Sequence, residues 1–181
     1  MRILVAYASK SGTAEKLAFH IVVGCKAAGV LPDVIDLKDS FQIYDYFGFL
    51  PRSAHSAKHD LSAYDLIFIG FEIHNLSESA KLLDFIEHND FQGKRVALFC
   101  SYFINRKYLA KIEEKLKRKS AAVFSTISLK RQGLLTLLGK GELKENDLVR
   151  AEGFAERTVN NLAGRRITKE SEKEQIRGYR K

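Results

Sequence analysis

At 181 residues the chain is long enough to bury a real core and reads as a single domain, 1–164, followed by a basic tail, 165–181. A formal charge of +8 separates it from acidic proteins, and no apolar run is long enough to span a bilayer. Without a signal-like leader it is expected to be cytoplasmic, with Cys25 and Cys100 as buried, reduced thiols in apolar patterns.

The predicted elements alternate between strand and helix. Ile3-Leu4-Val5-Ala6-Tyr7 is a short continuous apolar run, the pattern of a strand covered on both faces. A helix beginning near Thr13 carries Leu17, Ala18, Ile21, Val22, Cys25 and Ala28 on one stripe and stops at Gly29. Asp33–Leu37 is a second strand. The long connection Ser40–Ala63 holds Phe41, Tyr44, Tyr46, Phe47 and Phe49, which suits either a pocket-forming insertion or a short helix packed on the sheet. His55 and His59 lie four apart within it with Asp60 adjacent, but no further ligand is spaced to join them, and the stretch reads as a solvated loop rather than a metal site.

Asp65–Phe71 is a third, strongly apolar strand. Ser77 or Ser79 can cap a helix bearing Leu82, Leu83, Phe85 and Ile86. Arg95–Cys100 is a fourth strand, followed by a helix with Leu109, Ile112 and Leu116 inside. Ala122–Leu129 is a fifth, and the apolar loop Arg131–Gly141 leads to a last helix, Asn146–Leu162, burying Leu148, Ala151, Ala155, Val159 and Leu162. Such alternation predicts an α/β fold, a doubly wound five-stranded parallel sheet, because the crossovers between parallel strands are right-handed.

The informative stretch is the first strand-to-helix turn, Ser9-Lys10-Ser11-Gly12-Thr13-Ala14. Turn and helix N-terminus present unpartnered N–H groups, and the helix dipole favours an anion there. Gly12 keeps a Cβ out of the anion's way, and Ser9, Ser11 and Thr13 add hydroxyl donors. A receiver domain of similar topology needs acidic residues where this chain has Ala8 and Ser9. Neither G-x-G-x-x-G nor G-x-x-x-x-G-K-[S/T] occurs.

A chain opening with a strand and S-K-S-G-T resembles the flavodoxin family, whose first loop reads T/S-x-T-G-x-T and holds the phosphate of FMN. Ser9 and Ser11 stand for threonines, Gly12 is kept, and Ala14 occupies the last threonine's place if Thr13 is the variable position. Y-D-L-I-F-I-G-F at 64–71 and G-K-R-V-A-L-F-C at 93–100 are similar to small single-domain flavodoxin-like proteins, and the likeness runs from about Arg2 to Leu129.

The resemblance implies a flavodoxin-like sheet of order 2-1-3-4-5, with the ligand crevice between the first and third strands. It implies FMN as cofactor, its phosphate on Ser9, Lys10, Ser11, Gly12, Thr13 and Ala14. The flavin ring is then expected between the loops Glu72–Leu76 and Ser101–Asn105. Contacts are expected from Ile73, His74 and Asn75 on one side and from Ser101, Tyr102 and Phe103 on the other, with Tyr102 the favoured aromatic face.

The implied function is FMN-dependent electron transfer with no catalytic side chains. Two alternatives stand beside it: an FMN oxidoreductase acting on a quinone or porphyrin, as in the menaquinone-linked protoporphyrinogen oxidase, and a cofactor-free adaptor. The tail carries seven basic residues against three glutamates, and Lys107, Lys111, Lys115, Lys117, Arg118 and Lys119 crowd the surface of the helix that carries Leu109, Ile112 and Leu116. Both features suggest redox partner proteins with acidic surfaces. Only Tyr179 is interleaved with the tail's charges, so specific nucleic-acid recognition is not expected.

Overall fold

A computed structural model of the chain describes residues 1–37, 59–73, 80–103, 107–132 and 141–164. Five strands, β1 (Ile3–Ala8), β2 (Asp33–Asp36), β3 (Leu66–Glu72), β4 (Arg95–Tyr102) and β5 (Ala122–Lys130), form one parallel sheet in the order β2-β1-β3-β4-β5. The helices are α1 (Thr13–Ala27), α2 (Ala80–His88), α3 (Lys107–Arg118) and α4 (Glu145–Leu162). This is the flavodoxin-like architecture that the alternation and the resemblance predict. Among the described residues no helix is long and apolar enough to cross a membrane.

The period-two alternation of the strands divides the core into two layers. Ile3, Val5, Phe68, Ala97 and Phe99 face α1 and α4, while Leu4, Ala6, Ile67, Ile69, Val96 and Leu98 face α2 and α3. Both faces are covered, so β1 and, up to its final Glu72, β3 read as apolar runs, and both are buried along their whole length. β5 is an edge strand, its burial rises and falls along its length, and Phe124 is exposed. Cys25 lies in the α1 layer and Cys100 in the α2 layer, so the sheet stands between the two buried thiols.

The helical stripes are mainly those expected, with Ala14 and Gly24 added to α1 and Phe154 and Thr158 to α4, while Val22, Leu83 and Leu162 are only partly buried. α1 and α4 pack closely at Gly24. A Cβ there would overlap the Glu152 carbonyl oxygen and stand 2.8 Å from the Ala155 Cβ. His20 Nδ1 reaches Glu152 Oε1 at 2.6 Å across the same contact.

Four strands, β1, β3, β4 and β5, run further at their carboxyl ends than the sequence suggests, and the extensions of β3 and β4 bear on the site. The ladder continues through Glu72↔Ser101 and Tyr102↔Lys130, so Glu72, Ser101 and Tyr102 are strand ends rather than loop residues. The reason is cooperative pairing, because each neighbour supplies partners for the next backbone groups.

Candidate functional site

β1 leads to α1 on one face of the sheet, and β3 leads towards α2 on the other. Their ends lie side by side, with Ala8 paired to Phe71. The loops therefore part at this point and leave a crevice beyond the carboxyl ends of the two strands. The Ser9–Ala14 turn forms one wall of it. Gly12 sits immediately before α1 with φ 86°, a left-handed conformation, and its carbonyl accepts the Lys16 N–H at 3.0 Å. A Cβ on Gly12 would meet no atom within 4 Å. The left-handed backbone angle by itself favours glycine here, and the space beside its Cα is open, as the approach of an anion requires.

An anion does occupy the cradle, and it belongs to the chain itself. The Glu72 carboxylate points from the end of β3 into the turn. Its Oε1 accepts Ser9 Oγ at 2.6 Å and the Ala14 N–H at 2.8 Å, and its Oε2 accepts Ser11 Oγ at 2.7 Å and the Ser11 N–H at 3.3 Å. Two hydroxyls and two main-chain N–H groups at a helix N-terminus thus converge on one carboxylate that is 3 % exposed. Thr13 does not reach it. Its Oγ1 lies 2.9 Å from Ser11 Oγ and steadies that hydroxyl instead, while Lys10 is exposed.

A second buried charge lies at the same end of the sheet. Arg131, just past β5, donates its main-chain N–H to the Tyr102 carbonyl at 2.9 Å. Its side chain crosses the end of β4 to give Nη2 to the Ile73 carbonyl at 3.2 Å, with the guanidinium 5.8 Å from the Phe103 ring centroid. It is 2 % exposed, and Nε and Nη1 have no hydrogen-bond partner among the described residues. Burial draws its pKa down from the usual arginine value, and the Glu72 charge opposes that shift.

The other expected contacts distribute unevenly around the crevice. Ile73 is buried and gives its N–H to the Ser101 carbonyl at 2.9 Å. Ser101 is fully buried. Tyr102 packs half-buried against the α2 and α3 core layer, continuing the face of Cys100, and Phe103 receives the Arg131 guanidinium. His74, Asn75, the possible caps Ser77 and Ser79, His55 and the aromatics of 41–49 lie outside the described residues. His59 gives its N–H to Asn89 Oδ1 at 2.6 Å and sets its ring against Phe85, so its visible contacts are with the α2 layer.

Sequence reasoning missed the parts played by Glu72 and Arg131. The available signal was a single acid ending the otherwise apolar run 66–72, beside a turn built to attract an anion. For Arg131 there was none, because only the sheet order brings the end of β5 across to β3.

No protein-family model matches the chain, and no curated protein matches its sequence. Solved structures do resemble it. A flavodoxin from the domain Archaea is 19 % identical with a TM-score of 0.62, covering 90 % of this chain and 99 % of its own. Flavodoxin 2 from Bacillus cereus is 21 % identical with a TM-score of 0.62, covering 89 % of this chain and 99 % of its own. Rubredoxin oxygen:oxidoreductase from Desulfovibrio gigas is 14 % identical with a TM-score of 0.65. That match covers 91 % of this chain but only 36 % of the larger protein. At these identities the likeness is one of fold.

Proposed function

We propose that the chain is a flavodoxin-fold electron carrier that takes FMN in the crevice between β1 and β3, with the phosphate in the Ser9–Ala14 cradle. The observation that carries this reading is the set of four donors on the Glu72 carboxylate, an internal anion whose contacts support an anion seat at the turn. The donor set suits phosphate oxygens, and a phosphate cannot share it with Glu72, so the residues fit FMN once that side chain has turned away. Bound there, FMN supplies reversible transfer of one or two electrons.

The chain's own part is to hold and shield the cofactor. Ser9, Ser11 and Ala14 bind the phosphate, while Gly12 shapes the turn and Thr13 orients Ser11. Ile73, Ser101, Tyr102 and Phe103 border the ring's side of the crevice, and the family resemblance adds His74 and Asn75. Lys10, together with Lys107 and Lys111 on the first turns of α3, gives the rim a positive edge for an acidic redox partner.

Titration with FMN, followed by quenching of flavin fluorescence and by thermal stabilisation, tests the reading. Saturable binding that riboflavin, lacking the phosphate, matches only at higher concentration is expected. Absence of both signals at excess FMN removes the carrier. One observation favours the cofactor-free adaptor as the second reading: a buried Glu72 that already satisfies the cradle. In that case the same titration is blank.

A further inference from the structure

We propose that Glu72 is a built-in competitor for the anion cradle, and that Arg131 is the second seat of its carboxylate. An anion entering the Ser9–Ala14 turn exchanges with Glu72, which turns to the buried guanidinium. The exchange builds on the phosphate seat proposed above, but it concerns any phosphate in the cradle, with or without a flavin attached.

Three observations support it. The cradle's donors are already committed to Glu72, so a second anion cannot enter without displacing the first. Glu72 is the last residue of β3, and Arg131 Nη2 is bonded to the carbonyl of the next residue, so the guanidinium lies along the strand end from which Glu72 projects. Finally, Nε and Nη1 of Arg131 are buried without partners among the described residues, an arrangement that is costly unless another state of the molecule satisfies it. A carboxylate leaving the cradle finds there the charged donors it has lost, and the arriving phosphate is spared a neighbouring negative charge.

The experiment measures binding of FMN, riboflavin and inorganic phosphate to the full chain and to the variants Glu72→Gln, Arg131→Met and the double variant, at constant ionic strength. Glu72→Gln should raise the affinity for FMN and for inorganic phosphate at least tenfold and leave riboflavin within twofold. Arg131→Met alone should weaken both phosphate ligands at least tenfold, yet change nothing beyond twofold in the Glu72→Gln background, where no carboxylate needs a seat. Equal losses in both backgrounds would make Arg131 a direct anion contact and overturn its role as a seat.

Glu72→Ala covers the case in which the glutamine amide stays on the turn or the first variant does not fold. No gain for either phosphate ligand in either variant overturns the competitor. If FMN binds nowhere while inorganic phosphate gains on loss of Glu72, the exchange stands and the flavin reading falls. If FMN binds equally to the unaltered and Glu72-substituted chains, the reverse holds. In the unaltered protein the Arg131 Nε–H resonance, identified by its loss in Arg131→Met, should shift at saturating phosphate. A resonance that stays in place sinks the proposal without recourse to any change at Glu72.

Discussion

Gly12 combines a left-handed φ of 86° with open space where a Cβ would stand. Substitution there is therefore a test of backbone strain without a steric clash. Gly12→Ala is expected to cost about 1–2 kcal/mol, and Gly12→Asn less, since asparagine enters the left-handed region more readily. Urea denaturation of the three proteins checks the order, and equal stability would mean that the turn relaxes into another conformation. Cys25 offers a second measurement at a single residue. Burial pushes its thiol from 9.0 up to about 12. A raised value in an acid means that the unfolded chain loses its proton first. The contribution is fully present below pH 9.0 and is lost as the pH rises towards 12. The loss is about 1.4 kcal/mol for each pH unit in that window. Cys25→Ala should remove that part of the alkaline slope, and an unchanged slope would show that the thiol is reached by water.

α1 and α4 pack closely against each other, and Gly24 permits it. Gly24→Ala favours the helix by propensity, by about 1 kcal/mol. The added methyl meets the Glu152 carbonyl and the Ala155 Cβ, which are backbone and a stub with no freedom to move aside. Overpacking of this kind costs about 1–3 kcal/mol, so net destabilisation is expected, with a lower thermal midpoint. A gain in stability would mean that the helices separate without loss. The His20–Glu152 pair spans the same interface and should loosen with it. The cluster Lys115, Lys117 and Arg118 has an element-level explanation too. It closes the last turn of α3, where the helix dipole favours cations, and Lys115 pairs with Glu87 and Arg118 with Glu114.

For the whole molecule, helix direction decides which charges face the crevice. α3 returns from the carboxyl end of β4 to the opposite edge, where the Ser120 carbonyl accepts the Gly93 N–H at 3.0 Å. Lys107 and Lys111 therefore lie on the crevice side, and Lys115, Lys117, Arg118 and Lys119 on the far side. α4 runs the same way, and Gly164, from which the basic stretch 165–181 continues, closes it at that far edge. The basic residues of the 107–119 stretch are thus divided between the two edges, while the tail 165–181 lies outside the described residues. If an acidic partner docks at the crevice, Lys107→Glu with Lys111→Glu should slow association at low salt by about tenfold or more. Lys117→Glu with Arg118→Glu should change it less than twofold. Stopped-flow rates against ionic strength distinguish the two, and equal effects would place docking elsewhere.

Residue pattern alone specifies the layered sheet and the position of the anion-seeking turn. Strands buried on both faces must be apolar throughout, as Ile3–Tyr7 and Leu66–Phe71 are, and amphipathic helices between them leave few topologies open. The cradle was legible because its donors, Ser9, Ser11 and the Ala14 N–H, are consecutive or nearly so, and local geometry follows from local sequence. What fills the cradle depends on contacts between distant segments. Glu72 lies 63 residues from Ser9 in the chain, and Arg131 reaches Ile73 across 58. Those contacts exist because β3 pairs with β1 and because β4 alone separates β3 from β5, and no pattern within either segment carries that adjacency. Long-range pairing made one acid at a strand end the occupant of the site and left a buried arginine beside it.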